Sequence, residues 1–274
     1  MPTPFYHLFV AENLLAHPDL PAPARSLLLE QRGAFLFGNT APDVQVVSGE
    51  KRLATHFFTL PIRPGTTPAW EQLLRLHPSL AQASALPPAQ AAFLAGYLCH
   101  LQADWFWILE IFFPVFGPDE TWATFHHRLY LHNVLRAYLD RQVMPNLPDA
   151  TASRLKSIQP DGWLPFETDH HLQEWCDYLA EQLEPGAAAR TVEVFAVRQG
   201  IPPEAFYRLI ESEEAMDAEI FRHLPRSSLE SYYQRLVEVN LELLAAYLVP
   251  SSSLHRYHPA RSRNIAERAE KGPP

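Results

Sequence analysis

Cysteine is scarce: Cys99 and Cys176 are the only two in 274 residues. That count excludes a disulfide framework and a cysteine-rich zinc site. Each thiol is expected to act as a small buried apolar group. Cations are also in short supply. Lys and Arg number 22 against 31 Asp and Glu, a net charge of −9. Phosphate backbones are bound by clustered cations, so general nucleic-acid affinity is not expected. One phosphate group at a local metal centre is still compatible with this balance, because a bound ion can dominate the field of a site. No long apolar run goes uninterrupted. The richest, from Phe93 to Phe116, is broken by His100, Gln102, Asp104 and Glu110, and polar groups at that density argue against a membrane span. The opening Met1-Pro2-Thr3-Pro4-Phe5 has neither a positive n-region nor a long apolar h-region. A signal peptide is therefore not expected, and a cytoplasmic location is. Regular strand alternation is scarce, and no repeat of fixed period is seen.

What is present is apolar and helical. Apolar residues make up 47% and charged residues 19%, the profile of a packed globular chain long enough for a sizeable core. Apolar residues recur at three- and four-residue spacing over 71–80, 88–113, 121–143, 172–183, 187–198 and 229–248. The 26 prolines gather between these segments, where proline marks helix stops and first turns. The expectation is a single all-α, multi-helix bundle over 1–250. Ser251 to Pro274 is polar, holds five Lys/Arg and ends in Gly-Pro-Pro; a mobile tail is expected there.

The segment Gly96-Tyr97-Leu98-Cys99-His100-Leu101-Gln102-Ala103-Asp104 carries the clearest chemistry. On a helix His100 and Asp104 lie one turn apart on one face. Burying an imidazole and a carboxylate in so apolar a run is costly unless something pairs with them, and a metal ion held by nitrogen and oxygen donors does so. Thirteen histidines are present, and most are ordinary. His7 lies in Phe5-Tyr6-His7-Leu8-Phe9, Asp43 in the loop Gly38-Asn39-Thr40-Ala41-Pro42-Asp43, and His56 in Ala54-Thr55-His56-Phe57. Taken singly, each histidine reads as a hydrogen-bonded core residue, and an Asp after Pro reads as a turn residue.

The order of these elements adds information. An N-terminal His, a G-x-x-x-P-D loop, a T-H-F segment and a G-Y-x-x-H-x-x-x-D helix together resemble the zinc-dependent phospholipase C family, whose fold is shared with single-strand-specific fungal nucleases. The resemblance covers about the first half of the chain. It implies an all-α bundle holding one to three zinc ions and an activity of phosphodiester hydrolysis. Carried over, Asp43, His56, His100 and Asp104 form the first zinc site, Asp104 bridges to a second ion that His7 also binds, and Asp43 accepts the proton of the attacking water. Zinc lowers the pKa of a bound water to about 7, which provides hydroxide at neutral pH. The implied partners are a small phosphate ester or a phospholipid headgroup.

The remaining site departs from the family pattern. Where the family places a histidine six residues beyond the bridging aspartate, this chain has Glu110. The next helix offers His132, but four residues on stands Arg136, which has no lone pair to give. Asp140 lies within about 80° of His132 on a helical wheel. Two alternatives stand: a rearranged site using Glu110, His132 and Asp140, or loss of that ion with Arg136 as a fixed positive charge. His126 and His127 read as exposed cap-region residues, and His170 and His171 as a polar helix start. No His-Asp dipeptide of the HD-phosphohydrolase type is present. A di-iron centre needs a second Glu-x-x-His motif beside Glu167–His170. The rival reading is a non-catalytic metal-binding or scaffold protein on the same fold.

Overall fold

A computed structural model of the chain describes residues 1–249; the tail expected from Ser251 onward lies outside the described residues. Among the described residues all regular structure is helical. The first group comprises α1 (Pro4–Ala16), α2 (Ala22–Glu30), α3 (Arg32–Gly38), α4 (Gln45–Ser48), α5 (Leu53–His56) and α6 (Ala69–Leu76). Then come α7 (Pro88–Trp107), α8 (Phe125–Val143), α9 (Thr151–Lys156) and α10 (Asp169–Glu181). The last group is α11 (Thr191–Gln199), α12 (Pro203–Ile210), α13 (Glu213–Met216) and α14 (Arg226–Leu248). Proline opens α1, α2, α7 and α12, where its missing N–H costs no hydrogen bond. Thr124 and Thr168 cap α8 and α10, accepting from the backbone N–H of His127 and His171. No helix is long and apolar enough to cross a membrane among the described residues.

The periodicity over 88–113 predicts one continuous α-helix, but α7 ends at Trp107 and a wider π-helical turn runs from Ile108 to Phe116. Pro114 lies inside that turn. It has no N–H and its ring clashes with the carbonyl four residues back, so α-helical bonding cannot pass through it.

From Ala91 to Trp107 every residue of α7 is buried, as expected of a helix apolar on all sides. Packed around it are α3, α14 and α6. The contact with α3 is unusually close. A Cβ on Gly38 would stand 1.9 Å from the carbonyl oxygen of Phe93, and one on Gly96 would stand 2.3 Å from that of Phe35. Two glycines therefore let two backbones touch, and the end of α3 is delivered against the middle of α7.

Candidate metal centre

His100 and Asp104 project from the buried middle of α7. The close crossing with α3 brings the carbonyl of Asn39 to 2.8 Å from His100 Nδ1. A carbonyl only accepts, so Nδ1 carries a proton and Nε2 is the nitrogen able to face a metal. The chain then turns through Pro42 and Asp43 in a short 3₁₀ turn, Ala41–Val44. The single helical turn α5 follows, with His56 as its last residue. Tyr97 donates its hydroxyl to the Thr55 carbonyl at 2.6 Å, fixing α5 to α7. Thr55 Oγ1 donates to Gln45 Oε1 at 3.0 Å and faces His56 Nδ1 at 3.0 Å. That arrangement puts the His56 proton on Nδ1 and leaves its Nε2 free as well. Phe57, next in sequence, has φ 61°, and its ring packs edge-on against His77 and Phe166. His7 comes from α1, its ring stacked on His100 with centroids 3.8 Å apart.

These side chains converge on one point. Asp104 Oδ1 lies 3.5 Å from His7 Nε2, and Oδ2 lies 3.3 Å from His56 Nε2 and 3.7 Å from His100 Nε2. Asp43 Oδ1 lies 3.6 Å from His56 Nε2. Such separations are long for hydrogen bonds. They suit donors sharing an ion, because two ligands held at 2.0–2.1 Å in a tetrahedron stand roughly 3.4 Å apart. Nε2 of His7, His56 and His100 and Oδ1 of Asp104 are all buried without a hydrogen-bond partner. Two ligand groups result, His7–His100–Asp104 and Asp43–His56–His100, the donor atoms of each lying within 4.8 Å of one another. Divalent cations fit these two donor groups, since between them they satisfy four buried atoms that otherwise have no hydrogen-bond partner.

The electrostatics agree. Burial, reinforced by the charge that Asp104 and Asp43 favour on His100, pushes His7 down to about 4, so the His7 ring is neutral as a ligand must be, while a metal would take the place of the proton on His100 Nε2. Burial would raise both carboxylates. At Asp43 the His56 and His100 rings overcome it and hold the group below the usual range. At Asp104 His100, Arg52 and His56 do the same. Asp43 is the most open ligand, its side chain 17% exposed against 2% or less for His7, His56, His100 and Asp104.

Glu110 and His132, expected as ligands, are not brought to this cluster. Glu110 lies in the π-helical turn and pairs with Arg235 of α14 at 3.2 Å. His132 packs against Phe112 and Phe116, and its Nε2 accepts the Trp107 indole N–H at 2.9 Å. That bond occupies the lone pair and leaves the proton on Nδ1, so neither nitrogen is free to ligate. Asp140 accepts from the hydroxyls of Thr3 and Thr191. Of the two alternatives for the missing site, the geometry favours the fixed charge. Arg136 sits in a cleft beside Asp43, stacked over Phe195 at 4.4 Å. Burial lowers its pKa to about 10, which still leaves it cationic at neutral pH. The sequence reading did not single out Arg52, which ion-pairs with Asp104 from four residues before His56. An arginine one helical turn from a candidate ligand was the available signal. His126, His127 and His170 are exposed, and His171 pairs with Glu167 at 2.8 Å, as expected of helix-start residues.

Residues 6–181, well over half of the chain, match the family profile described as zinc dependent phospholipase C. No curated protein and no solved structure matches the chain. The span of the match contains every side chain of the cluster, and the chain belongs to the zinc-dependent phospholipase C family.

Proposed function

We propose that the protein is a zinc-dependent hydrolase of phosphate esters, acting on a phosphodiester. The observation that carries this reading is the set of four buried donor atoms, from three histidines and one aspartate, that lie in two groups overlapping at His100 and have no hydrogen-bond partner. Asp43, His56, His100 and Asp104 would hold one ion, and His7 with Asp104 a second. The described residues offer no ligand set for a third. Zinc, when bound, supplies electrophilic stabilisation of the phosphoryl oxygens and acidifies water near neutral pH.

The chain's own residues do the remainder. Asn39 and Thr55 fix the tautomers of His100 and His56, so no reorientation is needed on binding. Asp43, the ligand most open to solvent, borders the cleft from which substrate arrives. It accepts the hydrogen bond of the attacking water and takes its proton as the new phosphorus–oxygen bond forms and the bond to the alcohol oxygen breaks, the departing oxygen taking a proton from solvent. Arg52 places a guanidinium beside Asp104, where it offsets charge gathering on the phosphoryl group.

The test is metal analysis of protein purified without chelator, together with hydrolysis of bis(p-nitrophenyl) phosphate. At least one zinc per chain is expected, with turnover that chelation removes and zinc restores. Less than one bound zinc together with no turnover would overturn the proposal. Stoichiometric zinc that stabilises the fold without turnover would favour the scaffold reading.

A further inference from the structure

Beside the metal centre lies a cleft between the 3₁₀ turn, α8, α10 and α11. Asp43 stands at one side of it, and its lining includes Arg136, Arg190 and Arg198 together with Tyr178 and Phe195. Among the described residues Asp43 is the only carboxylate in that lining, and it already faces the candidate metal ligands. Arg190 is engaged, pairing with Glu181 at 3.3 Å. Among the described residues neither Arg136 nor Arg198 is in an ion pair. Arg136 is held rather than neutralised: Nη1 donates to Asn133 Oδ1 at 3.0 Å, the guanidinium lies over Phe195, and its Nε is buried without a partner. Asp43, Asp104 and Asp140 attract Arg136 and Arg198 repels it more weakly. Two guanidiniums that line one cleft, neither of them in an ion pair among the described residues, leave charge-assisted contacts open to an anionic ligand.

We propose that this cleft is the subsite for a second anionic group of the substrate, so that the preferred substrates are phosphate esters whose alcohol part carries a carboxylate or a further phosphate. The assignment rests on the hydrolase reading for the position of the first phosphate, which sits at the ligands bordering the cleft. Arg136 and Arg198 then meet the second charge, and the aromatic rings of Tyr178 and Phe195 enclose the chain between the two.

The experiment is titration calorimetry of the as-purified protein with 3-phosphoglycerate, which carries a phosphate and a carboxylate, and with glycerol 3-phosphate, which lacks the carboxylate. The first is expected to bind about tenfold more tightly, the effect of one charge-assisted contact. Arg198→Gln, at an exposed position that does not threaten folding, is expected to bring the ratio close to one. Arg75→Gln, which removes a charge from α6, is expected to leave the ratio unchanged. Equal affinities in the wild-type protein, or a preference that survives Arg198→Gln, would overturn the subsite. An equal drop in Arg75→Gln would also overturn it, by assigning the preference to net charge. Zinc content and turnover of bis(p-nitrophenyl) phosphate, measured on the same samples, separate the two proposals. Turnover without any ligand preference sinks the subsite alone, whereas preference without zinc or turnover sinks the hydrolase and leaves the cleft as an anion site rather than a substrate subsite.

Discussion

Two helices of this protein each bury a histidine and an aspartate, and they use them in opposite ways. On α7, His100 and Asp104 meet His7, His56 and Arg52. On α8, His132 meets an indole N–H and Asp140 meets two hydroxyls. The α7 carboxylate is surrounded by groups that carry or accept positive charge and is held ionised well below the usual range. The α8 carboxylate has only neutral donors bonded to it, and burial raises it to about 7. Similar residue types, one helix apart, thus give a candidate ligand set in one place and a packing network in the other. What decides between them is the partners that the fold supplies.

The sharpest way to break the contrast is to disarm α7. Asp104→Ala removes the one carboxylate that faces three histidines. Zinc content is expected to fall below one per chain, and turnover of bis(p-nitrophenyl) phosphate to drop more than about a hundredfold; metal analysis and initial rates check both. The next largest effect strikes the crossing that positions His100. Gly96→Ala drives a methyl into a backbone carbonyl that cannot yield. A loss of more than about 4 kcal/mol is expected, read from denaturant midpoints.

The α8 side is sharpened through pH. With the Asp140 carboxyl raised to about 7 by burial, the folded state keeps a proton that the unfolded chain releases near its ordinary value of 3.8. The stability it contributes is therefore complete below that ordinary value and is lost as pH rises toward 7. The loss between pH 4 and 8 is expected to be about 4 kcal/mol. Asp140→Asn should flatten this slope in urea denaturation measured across that range. The smallest effect is expected at His132. His132→Gln, which weakens the bond to Trp107, should cost about 1 kcal/mol and leave zinc content unchanged. A fall in bound zinc would erase the distinction between the two helices.

Much of this was legible beforehand, for identifiable reasons. The long helices announce themselves through apolar spacing, and the prolines mark where they begin. The cluster on α7 was visible because a histidine and an aspartate one turn apart are conspicuous in an apolar run. Other features depend on contacts between distant parts of the chain, which no local pattern encodes. His132 is taken out of contention by an indole 25 residues away. Glu110 is turned toward α14 because Pro114 imposes a wider helical turn. Arg52 acquires its meaning only when α5 is docked on α7 through Tyr97. The two glycines at the α3–α7 crossing stand in plain view in the sequence, but their role depends on which backbone approaches them.

The torsion at Phe57 bears on all of this. A left-handed backbone is where glycine would rest most easily, and a bulky side chain there costs on the order of 1–3 kcal/mol. The chain spends a phenylalanine on that position, immediately after His56, and packs its ring edge-on against the touching pair His77 and Phe166. Glycine in its place would ease the local geometry and at the same stroke unpin the turn. The awkward residue therefore works as a latch: comfort in one dihedral is given up so that the imidazole beside it cannot swing away.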